Sequence, residues 1–411
     1  MSLRRFLLCT STAVALLATV SNVALARQQT QVFLGATVID GTGGPPVSNV
    51  TIVVADGIIQ RIGTSVAAPQ GALEYDLSGR FVMPGLIDTH VHIGNSAAAR
   101  RALLSGVTTA RSMGSGFFAD VGLRELARQG RIDAPEILAA GYHVLPEAAE
   151  GLFIDHPELS DLMETGVHDA EAIRRVARAM ISHGVDVIKT NATARAGLPQ
   201  TDPRQPYFDE NLLQVLVEEA AGAGLPVAAH AHGDEGGRAA VLAGVRSIEH
   251  GTYLSDETLR LMAERGTYLA PTIAVVRDLT LPGGDYDNPL LELRGRHMLP
   301  RVRQMTATAH RLGVRVVAAT DTGYGTNGVL RLSHELIELV DVGLSPMEAI
   351  RAATAVAAEL LRVDDHTGTL VAGYDADFIV MDRNPLDEIG VVQDLLMVVN
   401  NGKVVVDRTS W

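Results

Sequence analysis

The sequence predicts an α/β fold: a (β/α)8 TIM-like barrel over residues 85–366, carrying a small β-sandwich built from residues 27–84 and 367–411. Three observations predict it. Apolar, strand-like segments alternate with amphipathic runs through the middle of the chain. Strand-rich texture with turn signals appears at both ends. The chemically distinctive residues of the middle fall at the carboxyl ends of the strand segments, the face on which such barrels carry their sites. A length of 411 residues is too great for one minimal core and suits a large barrel with an accessory domain. An open doubly wound sheet is the competing fold, but no Gly-rich dinucleotide fingerprint follows the first strand.

Taken in order, residues 1–26 read as a signal peptide. Arg4 and Arg5 form a basic start, "FLLCTSTAVALLATV" is the apolar stretch, and "ALA" at 24–26 offers small residues for cleavage near Ala26. The apolar run is too short, and too interrupted by Thr and Ser, for a membrane anchor. Cleavage removes Arg4 and Arg5 and no acid, taking the formal charge from −14 to −16. It also removes Cys9, the only cysteine, so the exported protein has neither a disulfide nor a thiol for catalysis or metal. The expected location is the periplasm or the medium. The acidic balance argues against nucleic acid and anionic membranes as partners.

Residues 30–84 read as short strands, "TQVFLGATVID", "VTIVVADGIIQRIG" and "LEYDLSGRFVMP", with "DGTGG" and "DGI" as turns. The closing "ADFIVMD" and "MVVNNGKVVVD" repeat that texture around a hairpin signal, "NNGK". Eight strand segments lie between: "GLIDTHVH", "GVTTARS", "EILAAGYHV", "VDVIKT", "LPVAAHAH", "VRSIEHG", "TYLAPTIAV" and "VRVVAATD". Runs such as "DAEAIRRVARAMISHG" and "DENLLQVLVEEAAGAG" separate them with helical periodicity.

His90 and His92 end the first segment, Lys189 the fourth, His230 the fifth, His250 the sixth and Asp321 the eighth. On a strand, positions i and i+2 face the same way, so His90 and His92 project together. Each residue taken singly has a structural explanation: core histidines, a snorkelling lysine, a strand terminator, a turn aspartate. Five strand ends converging on one barrel mouth favour a site. His156, His168, His183, His297, His310, His334 and His366 fall on helices or loops and read as solvated or capping residues. Imidazole and carboxylate suit zinc and similar divalent ions. Lys189 is the diagnostic member. An ammonium would be repelled by bound cations, whereas a buried, neutral amine can add CO2 and become a bidentate carbamate.

The segments "FVMPGLIDTHVHIG", "VIKT", "AAHAHG", "IEHGT", "ATDTG" and "GTLVAGYDADFIVMDRNPL" resemble the signatures of the amidohydrolase superfamily over almost the whole mature length. The resemblance is to its imidazolonepropionase-like and Xaa-Pro dipeptidase-like branch, which includes ochratoxin-hydrolysing amidohydrolases. It implies two divalent ions, zinc being the expected metal. His90, His92 and Asp321 would hold one, His230 and His250 the other, and Lys189 carboxylated by CO2 would bridge them. The bridging lysine favours hydrolysis of an amide or ester over nucleobase deamination, and over the ring opening that imidazolonepropionase itself performs. The implied reaction uses a metal-bridging hydroxide, with Asp321 taking its proton and returning it to the leaving amine. His143 and His232 are assigned to the carbonyl oxygen or a substrate carboxylate, and Tyr142 to substrate contact. The expected substrates are dipeptides or N-acyl amino acids, ochratoxin A being one of the latter. Cyclic amides, lactones or carbamate esters on the same centre are the alternative, and a ligand-binding barrel without turnover is the alternative of another class. Loops 146–168, 194–207 and 276–300 are expected to set side-chain preference. A homo-oligomer is compatible with the sequence.

Overall fold

A computed structural model describes residues 29–198 and 200–409; the expected signal peptide lies outside the described residues. The chain opens with strands β1 (Gln31–Val38), β2 (Val47–Ala55), β3 (Ile58–Gly63), β4 (Leu73–Asp76) and β5 (Phe81–Pro84). The last strands, Phe378–Met381, Met397–Asn400 and Lys403–Asp407, join them in one eight-stranded sheet. The two ends of the chain meet where Phe378–Met381 runs antiparallel to β5, with Phe378 opposite Pro84 and Met381 opposite Phe81.

Strand periodicity explains how this sheet is anchored. Phe378 and Val380 pack into a core with Phe33, Ile52, Val54, Met397 and Val399, in which Phe33 stacks on Tyr75 at 4.8 Å. The alternate residues Ile379 and Met381 face the opposite way, into the large core of the central region. One strand therefore belongs to two cores. Gly85 carries the chain from β5 into the central region, where a Cβ would lie 2.1 Å from Thr108 Oγ1, so only glycine passes.

The central strands are β6 (Leu86–Val91), β7 (Val107–Ser112), β8 (Glu136–Ala139), β9 (His143–Val144), β10 (Ile188–Asn191), β11 (Val227–Ala231), β12 (Ser247–His250) and β13 (Tyr268–Ala270). All their pairings are parallel, and helices separate most of them. Asp169 caps the helix Ala170–Ser182 and Asp209 caps Glu210–Gly222, each accepting an amide hydrogen bond at 2.9 Å. Such caps contribute about 1 kcal/mol apiece.

The architecture departs from the expected closed barrel at three segments. The third is broken into β8 and β9 at Gly141, whose positive φ turns the chain while Asp120 Oδ2 accepts from the amides of Ala140 and Gly141. The seventh ends at Ala270. Residues Ile273–Asp278 are helical instead, because Glu335 accepts from the Ile273 and Ala274 amides at 3.0 and 2.7 Å and caps that turn. The eighth forms isolated bridges only, Leu269 with Val316 and Val91 with Thr322. Thr320 is engaged by Asp88, which accepts from its amide and its hydroxyl. Among the described residues the strands thus form parallel sheets of three (β6–β8) and five (β9–β13), with residues 316–322 lying between β13 and β6. No described helix is long and apolar enough to cross a membrane.

Candidate metal centre

The first donor group is built on β6 and the segment beside it. His90 is buried, His92 is half-buried, and Asp321 Oδ1 lies 3.5 Å from His90 Nε2 and 3.1 Å from His92 Nε2. Both rings are held from behind. His92 Nδ1 lies 3.0 Å from the Gly114 carbonyl, and His90 Nδ1 lies 2.8 Å from Glu249 Oε2. A carbonyl only accepts, so His92 Nδ1 carries the hydrogen and, in the neutral ring, Nε2 presents a lone pair toward Asp321. The carboxylate behind His90 favours the same tautomer. Lone pairs and a carboxylate oxygen face one another across a gap that a cation would fill. Ligands about 2.0–2.2 Å from a zinc ion stand roughly 3–3.5 Å apart, which is the spacing here.

The second group comes from β11, β12 and the residue after β11. One ligand atom each of His230, His232 and His250 lies within 4.8 Å of the others. His230 Nε2 lies 3.2 Å from the Ala194 carbonyl, His232 Nδ1 2.9 Å from Thr252 Oγ1, and His250 Nδ1 2.7 Å from Thr272 Oγ1. The groups adjoin, since the rings of His90 and His250 are 5.3 Å apart. His232, expected from the sequence to contact substrate, thus also lies close enough to His230 and His250 to share a metal with them.

Lys189, on β10, is the common neighbour. Its Nζ is buried without a hydrogen-bond partner, and burial pushes its pKa down to about 8 although Glu249 and Asp321 pull the other way. Burial likewise holds His90 at about 4 and His232 at about 3, with Lys189 adding to the depression of both. His230 and His250 lie well below the ordinary histidine value for the same reasons. Burial opposes the charge of Asp321, yet His90, His92 and Lys189 hold its carboxyl well below the usual range. The neutral imidazoles of His90, His230, His232 and His250, an ionised carboxylate and an unpartnered amine make a donor set that fits divalent cations.

Backbone strain concentrates at the same place. His250 (φ 74°), Thr272 (φ 51°) and Asp321 (φ 56°) all occupy the left-handed region, at a cost of order 1–3 kcal/mol each. The strain aims two of the donors and the hydroxyl that holds His250.

The remaining candidates divide. His143 stands beside Lys189 in the register of β9 and β10, its Nε2 2.7 Å from the Met113 carbonyl and its ring 6.1 Å from that of His92. Gly114 makes room for it, since a Cβ there would lie 2.1 Å from His143 Nε2. Tyr142 turns elsewhere: its hydroxyl donates to Asp155 Oδ2 (2.9 Å) and accepts from the Phe117 amide (2.6 Å). Sequence reasoning missed Glu249, one residue before His250, which accepts from Arg111 at 2.9 Å while holding His90. The visible signal was an acid inside the apolar strand "SIEH". It missed Tyr286 too, whose hydroxyl donates to the Asp321 carbonyl at 2.9 Å.

Known proteins resemble the chain over most of its length. The profile of the amidohydrolase family matches residues 81–405. The ochratoxinase of Aspergillus niger is 30% identical over 401 residues, covering 85% of this chain and 81% of the relative. The imidazolonepropionase of Nocardia farcinica is 26% identical, covering 80% and 84%. A solved Xaa-Pro dipeptidase with methionine bound in its active site superposes with a TM-score of 0.82 at 27% identity, covering 92% of this chain and 99% of that one. Through the family profile and these relatives, the chain belongs to the amidohydrolase family, in its imidazolonepropionase-like and dipeptidase-like branch, and is a hydrolase acting on amide bonds.

Proposed function

We propose that the chain is a binuclear metal-dependent hydrolase that cleaves the amide bond of dipeptides or N-acyl amino acids, ochratoxin A among the latter. The observation that carries the reading is the buried Nζ of Lys189, without a partner, beside two groups of metal donors. Addition of CO2 to the neutral amine forms an N–C bond, releases a proton and leaves a carbamate with two oxygens and a negative charge. His90, His92 and Asp321 would hold one ion and His230 and His250 the other, with carboxylated Lys189 shared and zinc the expected metal. His232 is available to the second ion or to a substrate oxygen.

Ions held there would bring the pKa of a water near 7 and polarise the scissile carbonyl. The chain's own work is proton transfer and positioning. Asp321, ionised and aimed by its strained backbone, takes the proton of the attacking water on its carboxylate and returns it to the leaving nitrogen. His143 and His232 orient the carbonyl oxygen or a substrate carboxylate. Tyr142, its hydroxyl engaged by Asp155 and Phe117, shapes the wall beside His143. The dipeptidase solved with methionine in its active site supports a substrate ending in a free amino acid.

The same reading divides the chain into a barrel of residues 85–366 and a β-domain of 27–84 with 367–411. The bridges of Val316 and Thr322 to their two neighbouring strands support closure of that barrel. The protein is exported to the periplasm or medium after cleavage near Ala26, and it acts on a small molecule, with self-association compatible with the reading. The test is elemental analysis of protein purified with zinc and bicarbonate, joined to a screen of dipeptides and N-acyl amino acids. Two metals per chain and amide cleavage are expected. Active protein with one metal or none would refute the binuclear centre.

A further inference from the structure

We infer that Arg195 is the anchor for a carboxylate on the departing half of the substrate, so that the enzyme selects amides whose leaving amine carries a free acid. This deepens the amide-hydrolase reading above and rests on it. Arg195 follows Ala194, whose carbonyl meets His230 Nε2 at 3.2 Å, and so stands at the rim beside the second donor group. Its loop is fastened at several points. Thr193 bridges Pro206, the Ala194 amide donates to the Gln205 carbonyl at 2.9 Å, and Arg294 donates to the carbonyls of Ala196, Leu198 and Thr201 at 2.5–2.7 Å.

On this fastened loop the Arg195 side chain is exposed, and among the described residues its guanidinium makes no hydrogen bond or ion pair. Its neighbours differ: Arg204 is paired with Asp202 at 2.8 Å, and Arg294 is engaged by the loop carbonyls. Arg195 is near enough to His143, Lys189 and Tyr286 for its charge to act on all three. Those groups stand on β9, on β10 and on the loop whose Tyr286 hydroxyl bonds the Asp321 carbonyl. The guanidinium thus lies within electrostatic reach of groups at the mouth.

Among the described residues no acid pairs with this cation beside the donor groups; a substrate carboxylate would supply the counter-charge. The planar guanidinium fork suits a carboxylate bidentately. A neutral carbamate ester, lactone or cyclic amide would leave it unmatched.

The test compares N-acetyl-L-phenylalanine with N-acetyl-L-phenylalaninamide, following cleavage of the acetyl amide by zinc-loaded wild type, R195A and R195K. Wild type should prefer the free acid. R195A should lose about 10- to 100-fold in kcat/KM on the acid, the range of one charge-assisted contact, and change the carboxamide rate less than threefold. R195K should recover part of the loss. The carboxamide rate also reports on folding. Equal loss on both compounds would overturn the assignment and make Arg195 a general electrostatic or structural residue. A wild type that cleaves both equally well would also overturn it while leaving amide hydrolysis intact. Should neither compound turn over, the amide-hydrolase reading of these substrates fails and binding decides the anchor. N-acetyl-L-phenylalanine should then raise the melting temperature of wild type and not of R195A, and equal shifts would sink it.

Discussion

Asp321 faces the Nε2 atoms of two histidines, so the roles proposed for it as ligand and as base can be separated by one substitution. Asp321→Asn keeps size and an oxygen donor but removes the base. kcat should fall about 10²- to 10⁴-fold, the usual contribution of a general acid–base group, with metal content largely kept. Aryl esters should lose less than unactivated amides, because their leaving groups need less protonation. Equal losses accompanied by lost metal would show a ligand only. Lys189→Ala should remove the bridge and most activity, and short carboxylic acids should restore part of it; full activity would end the carbamate argument. The histidines give a pH test with a definite sign. Burial, then Lys189, holds His90 at about 4 without metal, whereas an unfolded histidine titrates near 6.5. Between those values the unfolded chain binds more protons, so stability present above pH 6.5 is lost as pH falls, by roughly 3 kcal/mol for His90 alone below pH 4. Melts of metal-stripped protein should be lower at pH 5.5 than at pH 7.5, and an unchanged midpoint would contradict the depression.

At the level of elements, the turn after β13 shows how a remote group sets a donor. Glu335 caps the helix Ile273–Asp278, the cap holds Thr272 in its left-handed conformation, and Thr272 Oγ1 meets His250 Nδ1. Glu335→Ala should therefore lower stability by about 1–3 kcal/mol for the two amides left bare and also lower metal content, since His250 loses its orientation. A variant as stable as wild type with two metals would break that chain of cause. The same turn marks where the sequence is legible and where it is not. The shared direction of His90 and His92 follows from a period of two, and the caps Asp169 and Asp209 stand beside their own helices, so local rules reach them. The helix at Ile273–Asp278 depends on an acid about sixty residues downstream, and the break at Gly141 depends on Asp120, on a helix between the strands. An apolar run such as "TIAV" reads as strand or buried helix equally well without those partners. The pairing of Glu249 with both Arg111 and His90 likewise spans strands far apart in sequence, which is why the candidate donors are legible in the sequence and the groups that hold them are not.

Across the whole molecule, the two donor groups draw on strands from β6 to β12 and on the irregular segment that carries Asp321, so a metal held there would tie together segments more than two hundred residues apart. The flanking sheet adds its own tie, since Phe378–Met381 places alternate side chains in both cores. Covalent cross-links are not available to help. Cys9 is the only cysteine and lies within the expected leader, so residues 27–411 contain none. Global stability of the processed chain should accordingly depend on metal and not on redox state. A ligand that binds only the folded chain stabilises it by about 4 kcal/mol at a thousandfold excess over its Kd. Protein beginning at Arg27 should fold without an oxidising step and melt several degrees lower after chelation. Adding zinc with bicarbonate should restore the midpoint, and dithiothreitol should leave it in place. A chelator-treated protein with an unaltered melt would mean that the histidine groups are held by packing alone, and the donor geometry would then be a preformed cavity and not a fold-stabilising centre.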